Sequence, residues 1–146
     1  MKRVLLAAVV GVLAARVHAQ TYIEVTPGAS GATASTSDTN VPANAVDGNL
    51  STRWSGSMDG AWLQLDLGTT RTVTHVNVAV HQGNARRNRF DLQVSSGDGV
   101  WTTVWSGESS GTTTAEETCE LSDTRRGSSA TWATAAPPRR STAFPR

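Results

Sequence analysis

Short apolar and polar runs alternate along the middle of the chain. Leu63, Leu65 and Leu67 alternate with Gln64 and Asp66, Val76, Val78 and Val80 with Asn77 and Ala79, and Phe90, Leu92 and Val94 with Asp91 and Gln93. A period of two buries one face of a β-strand and leaves the other to solvent. A turn signal at Asp98 and Gly99 leads into a fourth run carrying Trp101, Val104 and Trp105. A fifth, TTTAEETCELSD, places Cys119 and Leu121 on either side of Glu120. Clusters of Gly, Ser, Asn and Asp separate the runs, and no segment has the 3.6-residue period of a long amphipathic helix. Five strands with regular turns predict an all-β sandwich or barrel.

The two ends do not share this pattern. Residues 1–19 open with the basic MKR, continue through the apolar VLLAAVVGVLAA and close on VHA, the layout of a cleavable signal peptide. The apolar run is too short to span a bilayer comfortably. Cleavage after Ala19 predicts a secreted chain of 127 residues, with 20–33 as a lead-in. From Arg125 to Arg146 there is no alternation; Ala, Arg, Pro, Ser and Thr dominate, the composition of a disordered tail.

Charge sharpens the division. Loss of Lys2, Arg3 and Arg16 leaves 10 basic against 12 acidic residues, a net charge of −2. Residues 20–124 hold 5 Arg and all 12 acids, whereas 125–146 hold 5 Arg and no acid. So acidic a body repels phosphate backbones and anionic lipid, which argues against nucleic acid and against a membrane as partner. Cys119 is the single cysteine, so no internal disulfide can form and stability must come from a packed core or a metal. Cys119 itself reads as a small buried hydrophobe.

The segment NAVDGNLSTRW, residues 44–54, gathers oxygen-bearing side chains around a glycine. Calcium takes six to eight oxygens from carboxylates, carbonyls and hydroxyls in flexible geometry. Asp47 supplies the formal charge, Asn49 and Thr52 follow, and Gly48 permits a sharp turn. An ordinary polar turn, with Asn and Asp satisfying their own backbone, fits the same spacing. The triplet NLS at Asn49 also matches the N-glycosylation pattern, and a glycan and a metal cannot both use that amide.

The stretch PANAVDGNLSTRWSGSMDGAWLQLDLG resembles the discoidin family, also called coagulation factor 5/8 type C domains, and GNARRNRFDLQVSSGDGVWTTVW resembles the family's continuation. The likeness covers residues 34–124 and is nearest in style to family 32 carbohydrate-binding modules, often appended to secreted polysaccharide-degrading enzymes. It implies a jelly-roll β-sandwich, galactose-binding-domain-like, here incomplete at the C-terminus. It implies a structural calcium held by the Asn44 carbonyl, the Asp47 carboxylate, Asn49, and the hydroxyl and carbonyl of Thr52, with a late glutamate usually completing the shell. Trp54 is expected to pack beneath this loop.

The resemblance further implies sugar binding on loops at one end of the sandwich, near the metal. His81, Asn84, Arg86 and Arg87 fall where such contacts are expected, with Met58 and Asp59 as weaker candidates. Trp101 and Trp105 are expected in the core rather than as a sugar platform. Catalysis has no support: His75 lacks a nucleophile motif, Glu116 and Glu117 point to opposite strand faces, and no catalytic signature occurs. The reading is a secreted, monomeric, non-catalytic module that binds a polysaccharide or glycan. Its alternatives are a discoidin-type adhesion module binding protein or phospholipid, and an inactive product of a truncated gene.

After ELSDT the family continues with a strand resembling ARYVRYVGHG, where this chain reads RRGSSATWATA. Codons read one nucleotide earlier across residues 126–135 are compatible with AGFVRYVGHG, because the Trp132 codon ends in G and forces glycine at the next shifted position. A frameshift from about Arg125 onward explains how the sandwich lost its final strand and its late calcium ligand. A natural variant tail is the alternative.

Overall fold

A computed structural model describes residues 22–121 and the backbone of residues 129–131. The signal segment 1–19 and the rest of the tail lie outside the described residues. Among those described, seven strands run in chain order as β1 (Ala32–Ala34), β2 (Leu63–Thr70), β3 (His75–Val78), β4 (Arg89–Val94), β5 (Thr102–Glu108), β6 (Glu117–Glu120) and β7 (Ser129–Thr131). Two 3-10 turns, Ala29–Gly31 and Pro42–Ala45, flank β1. The described residues are all-β, as the alternation predicts.

All strand pairs are antiparallel. β2 lies between β1 and β7, β3 pairs with β6, and β4 pairs with β5. The five alternating runs of the sequence become β2 to β6. β1 was invisible to that reading, since Ala-Thr-Ala carries no large apolar side chain to mark a buried face. Within the tail, the rest of whose expected disorder lies outside the described residues, Ser129 and Thr131 of β7 pair with Thr70 and Asp66. Backbone hydrogen bonding asks little of side-chain pattern, so a strand can form there without alternation.

Phe90, Leu92, Cys119 and Leu121 form the buried core, with Leu65, Leu67, Val76, Val78, Val104 and Trp105 packed against it. These are the strand positions that alternation assigned inward. Val104 and Trp105 are consecutive, yet both pack on the core. The pairing explains it: Leu92 faces Trp105 and Gln93 faces Thr103, so Val104 is an extra residue in β5. Such a bulge re-aims one side chain and lets neighbours share a face. The Trp105 ring then rests on Phe90 with centroids 4.8 Å apart. Trp101, expected in the core, instead precedes β5 and is 37% exposed.

Candidate functional site

The oxygen-rich loop follows the Pro42–Ala45 turn. Gly48 has φ of 72°, the left-handed conformation that its place in the motif predicts. Asp47 Oδ1 accepts from the Asn49 amide at 2.8 Å, and Asn49 Oδ1 accepts from the Ser51 amide at 3.0 Å. The Thr52 hydroxyl lies 2.7 Å from Asp47 Oδ2, 2.7 Å from the Asn49 carbonyl and 3.4 Å from the Asn44 carbonyl. The four residues expected from the resemblance therefore meet in one place. One hydroxyl carries one proton and cannot donate to three acceptors. A hard cation suits a set of converging oxygens with a single carboxylate better than one proton does. Asn49 meets the Thr52 hydroxyl through its backbone carbonyl, while its side-chain oxygen accepts from the Ser51 amide. Hydrogen bonds from the Thr52 hydroxyl and then the Asn49 amide hold the Asp47 carboxyl below its ordinary value, keeping it charged. Among the described residues no group of three or more His, Cys, Asp or Glu side chains is placed to hold a metal ion.

Beneath the loop, the half-buried Trp54 donates its indole N–H to the Thr36 carbonyl at 2.9 Å. Asn44 donates to the Arg53 carbonyl at 3.1 Å and ties the two ends of the loop together. On the far side of Arg53, Asp38 accepts from the Asn40 amide, the Asn40 side chain and the Ser55 hydroxyl. These bonds, the Ser55 one foremost, bring its pKa down to about 2.

The second element is the loop between β3 and β4. Gly83 is buried there, so close to the Thr113 carbonyl that a Cβ would collide with it. At its base the Asn88 amide donates to Ser109 Oγ and the Ser109 amide to the Asn88 carbonyl, both at 2.9 Å. Gln82 has φ of 54°, a strained conformation for a residue with a Cβ. Arg86 donates its Nε to the His81 carbonyl at 2.8 Å, and the Ala85 and Arg86 amides close back on the Gln82 carbonyl. His81, Asn84, Arg86 and Arg87 are all exposed.

Arg87 lies along Gly111, turned toward the loop after β5. His81 instead sits within electrostatic reach of Arg86 and of Arg53. Desolvation first, and then those two positive charges, hold the His81 imidazole below its ordinary value. Arg53 went without a role in the sequence reading, although it stands inside the quoted motif; the signal was its being a rare cation on an acidic body. Met58 is 57% exposed near Trp62, which is 38% exposed. A hollow walled by Val78, Phe90, Trp105, Glu108, Glu117 and Cys119 opens elsewhere, between the β3–β6 and β4–β5 pairs. None of the expected sugar contacts lines it, and its floor is core side chains.

The model of the F5/F8 type C family, described as NedA-like, galactose-binding domain, matches residues 44–129, and the chain belongs to this family. The chain is similar to the family 32 carbohydrate-binding module of AlyQ in complex with 4,5-unsaturated mannuronic acid. Identity is 38% with a TM-score of 0.61, over 72% of this chain and 74% of that one. It is also similar to truncated AlyQ with its carbohydrate-binding and alginate lyase domains, at 36% identity and TM-score 0.66 over 72% of this chain. There it spans about a quarter of the larger protein, 26%. The family 32 module of C. perfringens NanJ in complex with galactose shares the fold at 21% identity and TM-score 0.59, over 81% of this chain and 91% of that one. No curated protein sequence matches the chain. The fold is that of a carbohydrate-binding module.

Proposed function

We propose that this chain is a secreted, non-catalytic carbohydrate-binding module whose calcium loop stiffens the rim of a sugar site. One observation carries the reading: oxygens of Asn44, Asp47 and Asn49 converge on the Thr52 hydroxyl, in a fold shared with a family 32 module bound to 4,5-unsaturated mannuronic acid. His81, Asn84, Arg86 and Arg87 present donors to sugar hydroxyls, with Met58 and Asp59 at the margin. Asn44, Asp47, Asn49 and Thr52 would hold Ca2+, which supplies charge compensation to the loop and no chemistry to the ligand. The layout of residues 1–19 supports secretion, and among the described residues no helix is long and apolar enough to cross a membrane. Sugar-bound family 32 modules at comparable fold similarity support a glycan as partner.

Binding is expected to be weak, because an open site exchanges water for sugar hydroxyls at little net gain. A glycan array probed with the full chain, with and without calcium, tests this. Retention on a defined glycan that His81→Ala and Arg86→Ala each abolish supports the assignment. Retention unchanged by both variants removes those residues from the site.

A further inference from the structure

We propose that Asn49 carries an N-linked glycan on its side-chain nitrogen, while its backbone carbonyl stays with the loop oxygens. The proposal rests on the secretion reading above, since this modification belongs to surface loops of secreted chains. Asn49-Leu50-Ser51 is the one Asn-x-Ser/Thr triplet in the sequence, although the chain holds six asparagines. Spacing alone leaves the amide contested between a glycan and a metal. The structure separates the atoms.

The Asn49 backbone carbonyl accepts from the Thr52 hydroxyl at 2.7 Å and from the Thr52 amide at 3.0 Å. The side-chain oxygen accepts from the Ser51 amide at 3.0 Å. An N–H selects the oxygen of a carboxamide, so this bond fixes which end is nitrogen. Neither Asn49 Nδ2 nor the Ser51 hydroxyl bonds to a described residue. Asn49, Leu50 and Ser51 are all exposed, Leu50 by 61%. Beside them lies open space, for a Cβ added to Gly48 would meet nothing within 4 Å. The Asn49–Ser51 bond spans two residues, so the turn needs no distant contact and can form before the sandwich closes. It places the acceptor nitrogen and the hydroxyl that defines the triplet on one exposed turn.

The donor is an oligosaccharide carried on a lipid pyrophosphate, and a transferase joins the two. Nδ2 attacks the anomeric carbon, the N–C bond forms, the C–O bond to the pyrophosphate breaks, and the lipid pyrophosphate leaves. One amide proton passes to a base of the transferase, and nothing is oxidised or reduced. The product keeps the side-chain carbonyl, and with it the bond from Ser51. The backbone carbonyl is untouched, so a glycan and a cation use different atoms of the same residue.

Expression of the full chain, with its own leader, in cells whose secretory pathway carries the transferase tests this. The readout is peptide mass spectrometry before and after peptide N-glycosidase, which converts a glycosylated asparagine to aspartate. Most secreted molecules are expected to carry the glycan at Asn49. Asn49→Gln and Ser51→Ala should each remove it, and Ser51→Thr should keep it. The melting response to calcium should be the same in the glycosylated chain and in Ser51→Ala. A secreted chain with a cooperative melt and a bare Asn49 overturns the proposal. A calcium response present in Ser51→Ala and lost in the glycosylated chain puts the metal on the side-chain amide and overturns the division of atoms. A chain retained in the cell with residues 1–19 attached overturns the secretion reading, and the glycan falls with it.

Discussion

The Asn44 side-chain amide donates to the Arg53 carbonyl at 3.1 Å, so a single hydrogen bond closes the oxygen-rich loop at its base. If a cation orders the loop, then removing it should loosen Arg53 as well. Calcium at about a hundred times its dissociation constant should raise stability by about 2.7 kcal/mol. Chelation should reverse this in thermal melts, and Asp47→Ala should abolish the response altogether. Sugar affinity should fall in step. A melt identical with and without chelator removes the metal from the account.

Trp54 makes its own contribution below the loop. Trp54→Phe keeps an aromatic ring but deletes the indole bond to the Thr36 carbonyl, leaving that acceptor to water. A cost of about 0.5–1.5 kcal/mol is expected by urea unfolding. Trp54→Ala should cost about 3 kcal/mol or more, since it also empties the space under the rim. Equal costs for the two variants would mean that the hydrogen bond, and not the ring, holds the loop.

Acid should act through Asp38. Its folded pKa is about 2 against an ordinary value of 3.8, because the Ser55 hydroxyl and the two Asn40 donors favour the charged carboxylate. A depressed carboxylate contributes its stability in full above its unfolded value and loses it as pH falls toward the folded one. Unfolding midpoints should therefore drop between about pH 4 and pH 2, and Asp38→Asn should flatten that slope. Asp47 and Asp98 are depressed too, so part of the slope should survive the substitution. An unchanged slope in Asp38→Asn places the acid sensitivity in those two carboxylates alone.

The sequence made β2 to β6 legible because each buries one face, and a single-faced burial writes itself as alternation. Phe90, Leu92 and Cys119 needed nothing more. β1 left no trace because three small residues cannot mark a face. Trp101 and Trp105 looked equivalent at strand spacing; the extra residue Val104 separates their fates, and no local signal announces a bulge. At the site, the oxygens of residues 44–52 were legible as a motif. The Arg53–His81 relationship was not, because it joins two loops 28 positions apart in sequence and depends on how the sandwich brings them together.

The tail gives the sharpest test. β7 pairs Ser129 with Thr70 and Thr131 with Asp66, beside the strand that alternation marks most clearly. The same codons, read one nucleotide earlier, are compatible with an alternating apolar strand at this place. Replacing residues 126–135 with AGFVRYVGHG introduces Ser128→Phe, Ser129→Val, Thr131→Tyr and Trp132→Val among its changes. If the present tail is a shifted reading, the replaced chain regains side chains that each contribute about 1.5–3 kcal/mol on burial. A whole domain is stable by only about 5–15 kcal/mol, so the gain should be plain in urea unfolding, as a higher midpoint and a steeper slope. The slope matters because it reports surface buried rather than a local contact. A replaced chain that unfolds at the same midpoint with the same slope shows that the tail as written already completes the sheet, and the frameshift explanation is then abandoned.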